Sequence, residues 1–346
     1  MPARLLLAAV VLLAASSSFA ASAHGFTIVT RTDAVRSGVQ EAYIQPFVAA
    51  TDLSAVQDTW SGGIDALRAR VKSPEPGWDL VETDPEELAT GCGEGLFDKI
   101  DWSAVGGKDH YLPQGVSDCG VGAMIIGTVL AWDRDKFPVT PSWADFWDVA
   151  KYPGKRGLRN GVRGNLEFAL LADGVAAGDV YKTLSTSEGV DRAFRKLDQL
   201  KPYIVWWQQE ADAARILGSG DVLMTSASSA QIATASRSDH RNFGVQWNTA
   251  LYEVLSWAIL KGSPNVRQAQ QFLYFVGTPA IEARMMRISG DAGLAKGMNE
   301  GLAPDLLALS ASNPANLATS LRIDAAFWRD NLSKLKPRFD AWQSGH

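Results

Sequence analysis

Residues 121–132 read Val-Gly-Ala-Met-Ile-Ile-Gly-Thr-Val-Leu-Ala-Trp. A charge-free run without polar alternation is what a strand buried on both faces looks like. Such a strand needs structure on either side of it, and the sequence supplies it. Upstream, residues 26–30 (FTIVT) read as a first strand, 37–50 as an amphipathic helix and 54–60 as a second strand. Ile64, Leu67 and Val71 recur at helical spacing, residues 78–81 (WDLV) are strand-like, and Asp84 is placed to cap a helix opened by Pro85. This β-α-β-α-β-α order is an α/β unit. Downstream a second unit begins. Ser142 caps a helix through Trp143 and Trp147, residues 166–172 and 189–200 are helical, and 204–207 and 221–225 are strands separated by a helix over 211–217. A helix over 228–236 follows, then strands over 243–247 and 256–260 on either side of a central segment, 248–255. Helices over 265–276, 279–288 and 325–342 complete the chain. The apolar run therefore leaves one α/β lobe for another, and the expected fold class is α/β with strands crossing between two lobes.

Composition narrows the function. The 346 residues carry 33 Lys plus Arg against 38 Asp plus Glu, a net charge of −5, which disfavours nucleic acid as a partner. Two cysteines and four histidines are too few for a four-cysteine metal site, so neither metal nor cofactor is expected. The first residues combine Arg4, an apolar run from Leu5 to Ala15 and the step Ala21-Ser22-Ala23, the pattern of an export signal cleaved after Ala23. In an oxidising compartment Cys92 and Cys119 are expected to form a disulfide. No Gly-x-Ser-x-Gly elbow, His-Glu-x-x-His helix or phosphate-binding loop occurs, so no catalytic residues are nominated. The 12 tryptophans are more than composition explains.

The second half carries a collinear set of motifs: Ser142-Trp143-Ala144-Asp145-Phe146-Trp147, Tyr152-Pro153-Gly154-Lys155-Arg156-Gly157, Leu217-Gly218-Ser219-Gly220-Asp221-Val222, and Trp257 through Asn265 (WAILKGSPN). The helix Ala269 to Val276 (AQQFLYFV) and a tail from Phe327-Trp328-Arg329-Asp330 to Phe339-Asp340-Ala341-Trp342 complete it. In order and spacing the chain resembles the periplasmic solute-binding proteins of ABC importers, in their spermidine/putrescine-binding branch. The resemblance implies a type II two-lobe fold, each lobe a central β-sheet flanked by helices, joined by two hinge strands. Lobe 1 would comprise residues 24–133 plus about 257–300, and lobe 2 residues 134–256 plus about 301–346. It implies a periplasmic monomer that holds a small amine-type ligand between the lobes and delivers it to the permease subunits of an inner-membrane ABC transporter.

In open α/β sheets ligands sit beyond the carboxyl ends of strands. That rule points to Thr32 and Asp33, Trp60 and Ser61, Glu82 and Asp84, residues 206–210, Ser226 and residues 247–253; from these, with Glu167 on a helix added, Thr32, Asp33, Trp60, Glu82, Glu167, Trp207, Ser226, Trp247, Tyr252 and Glu253 are nominated as ligand-binding. Carboxylates replace water around an ammonium, and aromatic faces add cation–π attraction worth about 0.5–2 kcal/mol each. Trp206 and Trp207 are adjacent on a strand and point to opposite faces, so at most one lines the cleft. Glu167 either faces the cleft or caps its helix. Trp143, Trp147, Trp328 and Trp342 read as packing. The polyamine pattern is broken where Ser226 stands for an aromatic and Leu255 for the central acid. A polyamine is the first expectation, with an ω-amino acid or a quaternary ammonium compound as the alternative. A ferric-ion binder would want paired tyrosines, and all seven here are isolated. An exported enzyme on the same scaffold is the alternative of another class.

Overall fold

The structure is a computed structural model that describes residues 25–31, 37–74 and 76–345. The expected export signal lies outside the described residues. Among the described residues the strands are β1 (Phe26–Thr30), β2 (Ala55–Thr59), β3 (Leu80–Thr83), β4 (Val121–Asp133), β5 (Arg156–Arg159), β6 (Ile204–Trp207), β7 (Met224–Ser228), β8 (Phe243–Ile259) and β9 (Leu321–Arg322). Their order is β2-β1-β3-β8-β4-β7-β5-β6, with β9 on β8. β4 grows out of the apolar run quoted above, and nearly all of its 13 residues are buried.

β4 and β8 hold the two lobes together. β3 pairs with the last four residues of β8, Ser256–Ile259, and β7 pairs with the far end of β4, from Thr128 to Trp132. Between those attachments β4 and β8 run antiparallel along one another from Val121↔Trp257 to Asp133↔Phe243. The central segment 248–255, expected to separate two strands, is instead part of one 17-residue strand. The polar Asn248 and Thr249 are accommodated by a bulge: Thr128 faces Leu251 but Leu130 faces Gln246, and Thr249 sits at φ 60°. The bulge adds residues to β8 without ending its pairing.

Each lobe has its own core. Phe26, Ile28, Leu80 and Met124 pack with Phe272, Leu273 and Met285 from the helices Val266–Val276 and Pro279–Ser289. Leu130, Trp132, Trp143, Phe146 and Leu158 pack with Phe327, Trp328 and Phe339 of the helix Ala325–Ser344. After β8 the chain thus returns first to the first core, where Leu309, Ala311 and Leu317 also pack, and reaches the second at Leu321 and Ile323. Both expected helix caps form: Asp84 and Glu87 make a reciprocal capping box, as do Ser142 and Asp145. Cys92 and Cys119 form the disulfide, with Cα atoms 5.7 Å apart. Among the described residues no helix is long and apolar enough to cross a membrane.

Candidate functional site

A cavity of about 510 Å³ opens between the lobes on one face of the β4–β8 ribbon. Its floor is Ile126, Thr128, Glu253 and Leu255, which strand alternation places on a common face. The walls come from chain segments that leave the sheet: Arg31 after β1, Ser61 after β2, Asp84 after β3, Arg159 ending β5, Glu210 after β6 and Ser228 ending β7. These are carboxyl ends of strands, where an α/β sheet leaves its loops free to hold a ligand. Asp291 arrives by another route. The loop after helix Pro279–Ser289 is tied to the hinge ribbon by the Ile125 N–H donating to the Ala292 carbonyl at 2.8 Å.

The lining carries both signs of charge, with Arg31, Arg159 and Arg163 against Asp84, Glu210, Glu253 and Asp291. Their pairing is uneven. Arg31 is engaged by Asp84 at 3.0 Å and by Glu87, and its guanidinium lies 4.9 Å from the centre of the Trp60 ring. Arg163 binds Glu86 and lies 3.6 Å from Glu253, so it joins the second lobe to the helix Pro85–Gly93 of the first. Among the described residues Arg159 pairs with Glu210 alone, at 3.7 Å, and keeps more than half of its side chain exposed. Asp291 makes no ion pair among the described residues, and its nearest support is the Ser289 hydroxyl. Burial pushes its carboxyl up to about 6, against that hydrogen bond, and the like charge of Glu210 adds to the rise. Glu210 is also raised, by burial first, with Arg159 opposing and Glu253 reinforcing the shift.

A second cavity, of about 580 Å³, lies on the opposite face of the ribbon beside the disulfide, lined by Leu88, Val116, Val254, Lys99 and Arg322. It lacks the convergence of acids and guanidinium groups from both lobes that marks the first.

The nominated residues separate into three groups. Glu253 is on the floor, while Trp60 and Glu82 stand directly behind the wall. The Trp60 indole N–H donates to the Glu82 carbonyl at 3.1 Å, and a Glu82 carboxylate oxygen accepts the Arg31 backbone N–H at 2.9 Å. Ser226 is fully buried, one strand repeat below the lining Ser228, and its hydroxyl has no partner. The remaining described nominees are packed away. Trp207 joins Ala213, Ile216 and Leu217, and Trp206 on the other face packs on Phe339 and Trp342, so neither indole of that pair lines the cavity. Trp247 folds over Gly127 and donates to the Ala308 carbonyl at 3.0 Å, and Tyr252 is on that same buried face of the ribbon. Glu167 is a cap: it accepts from the Gly164 N–H at 2.9 Å, the Tyr181 hydroxyl at 2.9 Å and the Trp328 indole at 2.7 Å. Thr32 and Asp33 lie outside the described residues.

An amine ligand does not by itself call for arginines. The strand-end rule that nominated Trp60 and Glu82 also points to Arg31, whereas Arg159 ends β5, a strand not expected from the sequence.

Comparison with known proteins agrees with this architecture. The model of a family described as bacterial extracellular solute-binding protein matches residues 42–316. The chain belongs to the bacterial extracellular solute-binding proteins. It is 38% identical over 323 residues to the gamma-aminobutyric acid-binding protein of Pseudomonas aeruginosa, covering 93% of this chain and 92% of that one. Among solved structures, an ABC transporter substrate-binding protein from Bradyrhizobium japonicum is 30% identical with a TM-score of 0.80, over 92% of this chain and 99% of that one. The Atu4243-GABA receptor is 26% identical with a TM-score of 0.82, over 93% and 98%. A spermidine/putrescine substrate-binding protein from Streptococcus pneumoniae shares the fold at 15% identity and a TM-score of 0.75, over 93% and 100%. These relatives are solute-binding proteins and not enzymes, so this solute-binding protein is the ligand-capturing component of an ABC transporter. The polyamine branch is a distant structural neighbour.

Proposed function

We propose that this solute-binding protein captures a small amino acid whose ammonium and carboxylate lie at opposite ends, an ω-amino acid of the γ-aminobutyrate type, outside the cytoplasmic membrane and hands it to its permease. The observation that carries the reading is the mixed charge of the interlobe cavity, three guanidinium groups facing four carboxylates. A polyamine would bring only positive charge to a wall that already holds Arg31, Arg159 and Arg163, and like charges at close range are mutually destabilising. The least engaged groups are Asp291 on the first-lobe side and Arg159 on the second. The ligand ammonium docks at Asp291 and its carboxylate at the Arg159 fork, which suits a planar anion bidentately. A zwitterion held in this way bridges the lobes and favours the closed form, because only closure makes both contacts. The similarity to the gamma-aminobutyric acid-binding protein of Pseudomonas aeruginosa and to the Atu4243-GABA receptor supports the same reading.

Calorimetric titration with γ-aminobutyrate, β-alanine, putrescine, spermidine and glycine betaine tests the proposal. Saturable binding of an ω-amino acid at least tenfold tighter than that of either polyamine is expected. Tightest binding of putrescine or spermidine would overturn it.

A further inference from the structure

Glu82 uses half of its hydrogen-bonding capacity. It is fully buried, one oxygen accepts the Arg31 backbone N–H at 2.9 Å, and the other oxygen is buried without a partner among the described residues. The nearest cation does not answer it, because the Arg31 guanidinium is turned to Asp84 and Glu87. The other titratable groups that face it are Asp291 on the cavity wall, a like charge, and the buried phenol of Tyr43 from the helical turn Gln40–Ile44. Across the ladder its partner is Trp257, whose indole N–H is likewise buried without a partner. An ionised carboxylate in this setting is expensive to bury, whereas a protonated one is not.

We propose that Glu82 is a proton-exchanging member of the binding site: it holds a proton while the cavity is empty and releases it to solvent when an ammonium docks at Asp291. Burial supports this by raising Glu82 to about 7, with Asp291 adding to the rise and Arg31 opposing it. The docked ammonium adds a positive charge beside two carboxyls and favours their ionised forms. By linkage, affinity then increases with pH in proportion to the protons released. The inference rests on the amino-acid reading in one respect, that the ligand brings an ammonium.

The test is calorimetric titration of the full chain with γ-aminobutyrate in phosphate and in Tris, two buffers of very different ionisation heat. At pH 7 about 0.5 proton should be released per ligand, so the apparent heats differ between buffers, and affinity should rise about threefold to fourfold from pH 6.5 to 7.5. Glu82→Gln should still bind, lose most of the buffer difference and flatten that rise to less than about 1.5-fold. Heats that agree between the buffers for the unmodified protein would overturn the proposal without any variant being made. Unchanged proton release in Glu82→Gln would also overturn it. If γ-aminobutyrate gives no heat in either buffer while putrescine does, the ω-amino-acid reading fails instead, and the same two-buffer titration with putrescine decides on Glu82.

Discussion

Glu82 and Glu167 are the same residue type at the same depth, each without measurable exposure, one at the edge of the first-lobe core and one in the second. Their surroundings differ in kind. Glu167 accepts from a backbone N–H, a phenol and an indole, and the last of these reaches across 161 residues of sequence to pin the C-terminal helix. Glu82 has one backbone donor and an empty oxygen. The second lobe treats its buried cation in the same way as Glu167, for Arg156 donates to the carbonyls of Phe146, Gly154 and Tyr152. Burial of charge therefore does not by itself mark function. A saturated buried charge is scaffold, and an unsaturated one beside a cavity is available for exchange with a ligand.

The same substitution in both residues gives the largest contrast. Glu167→Gln replaces an acceptor of three donors by a group with one oxygen and an unwanted donor, and should destabilise the protein by about 3 kcal/mol. Glu82→Gln at pH 8 keeps the oxygen that meets the Arg31 N–H and removes a charge that burial disfavours, so stability should hold or rise by about 1–2 kcal/mol. Urea unfolding of both variants at pH 8 decides it. Equal losses would break the comparison, since the two carboxylates would then be doing the same structural work.

The comparison also fixes a sign for pH. Burial raises Glu82 and Glu86 to about 7, Asp291 to about 6 and Glu282 to about 8. In the unfolded chain such groups lose their protons near pH 4–4.5, so between that range and pH 8 the folded state holds more protons than the unfolded one. Their contribution is complete at low pH and is lost as pH rises through the folded values. At about 1.4 kcal/mol per pH unit the four groups together lose about 8 kcal/mol over that span; allowing half of it for relaxation around the buried sites, the ligand-free protein should melt about 6 °C lower at pH 8 than at pH 5.5, the equivalent of about 4 kcal/mol. Ligand should narrow that gap, because the docked ammonium supplies at pH 8 what the protons supply at pH 5.5. A melting temperature that climbs from pH 5.5 to 8 would show that these acids are ionised and well paired in the folded protein.

Much of the scaffold was legible because it depends on pattern. The unbroken apolar run became β4, Asp84 and Ser142 became caps, and Cys92 met Cys119. The site was less so, and for a geometric reason. A position just beyond a strand is easily located, but which face its side chain takes turns on a single step of register. Trp207 and Trp247 lie near the right strand ends and point into cores. Glu253 is conspicuous as an acid inside an apolar stretch, Arg31 stands at a strand end where an amine ligand calls for no cation, and Arg159 ends β5, whose four residues (RGLR) carry no strand pattern. Asp291 follows a helix, not a strand, and it reaches the cavity only through the Ile125–Ala292 link, which no local pattern announces. Partner saturation, the property that separates Glu82 from Glu167, depends on contacts with Tyr181 and Trp328 that are remote in sequence.

The smallest contrast uses the indoles attached to the two glutamates. Trp328 donates to the Glu167 carboxylate itself at 2.7 Å, whereas Trp60 donates to the main-chain carbonyl of Glu82 at 3.1 Å. Trp328→Phe removes a charge-assisted bond and should destabilise by about 2 kcal/mol, and Trp60→Phe removes a neutral one and should destabilise by about 1 kcal/mol. Phenylalanine keeps an aromatic face beneath the Arg31 guanidinium, so γ-aminobutyrate affinity in Trp60→Phe should change less than about threefold. Unfolding curves for the two variants, with a titration of the second, measure both. Should Trp60→Phe instead abolish the pH dependence of binding, the empty oxygen of Glu82 would not be its source, since the substitution leaves that oxygen and its burial in place.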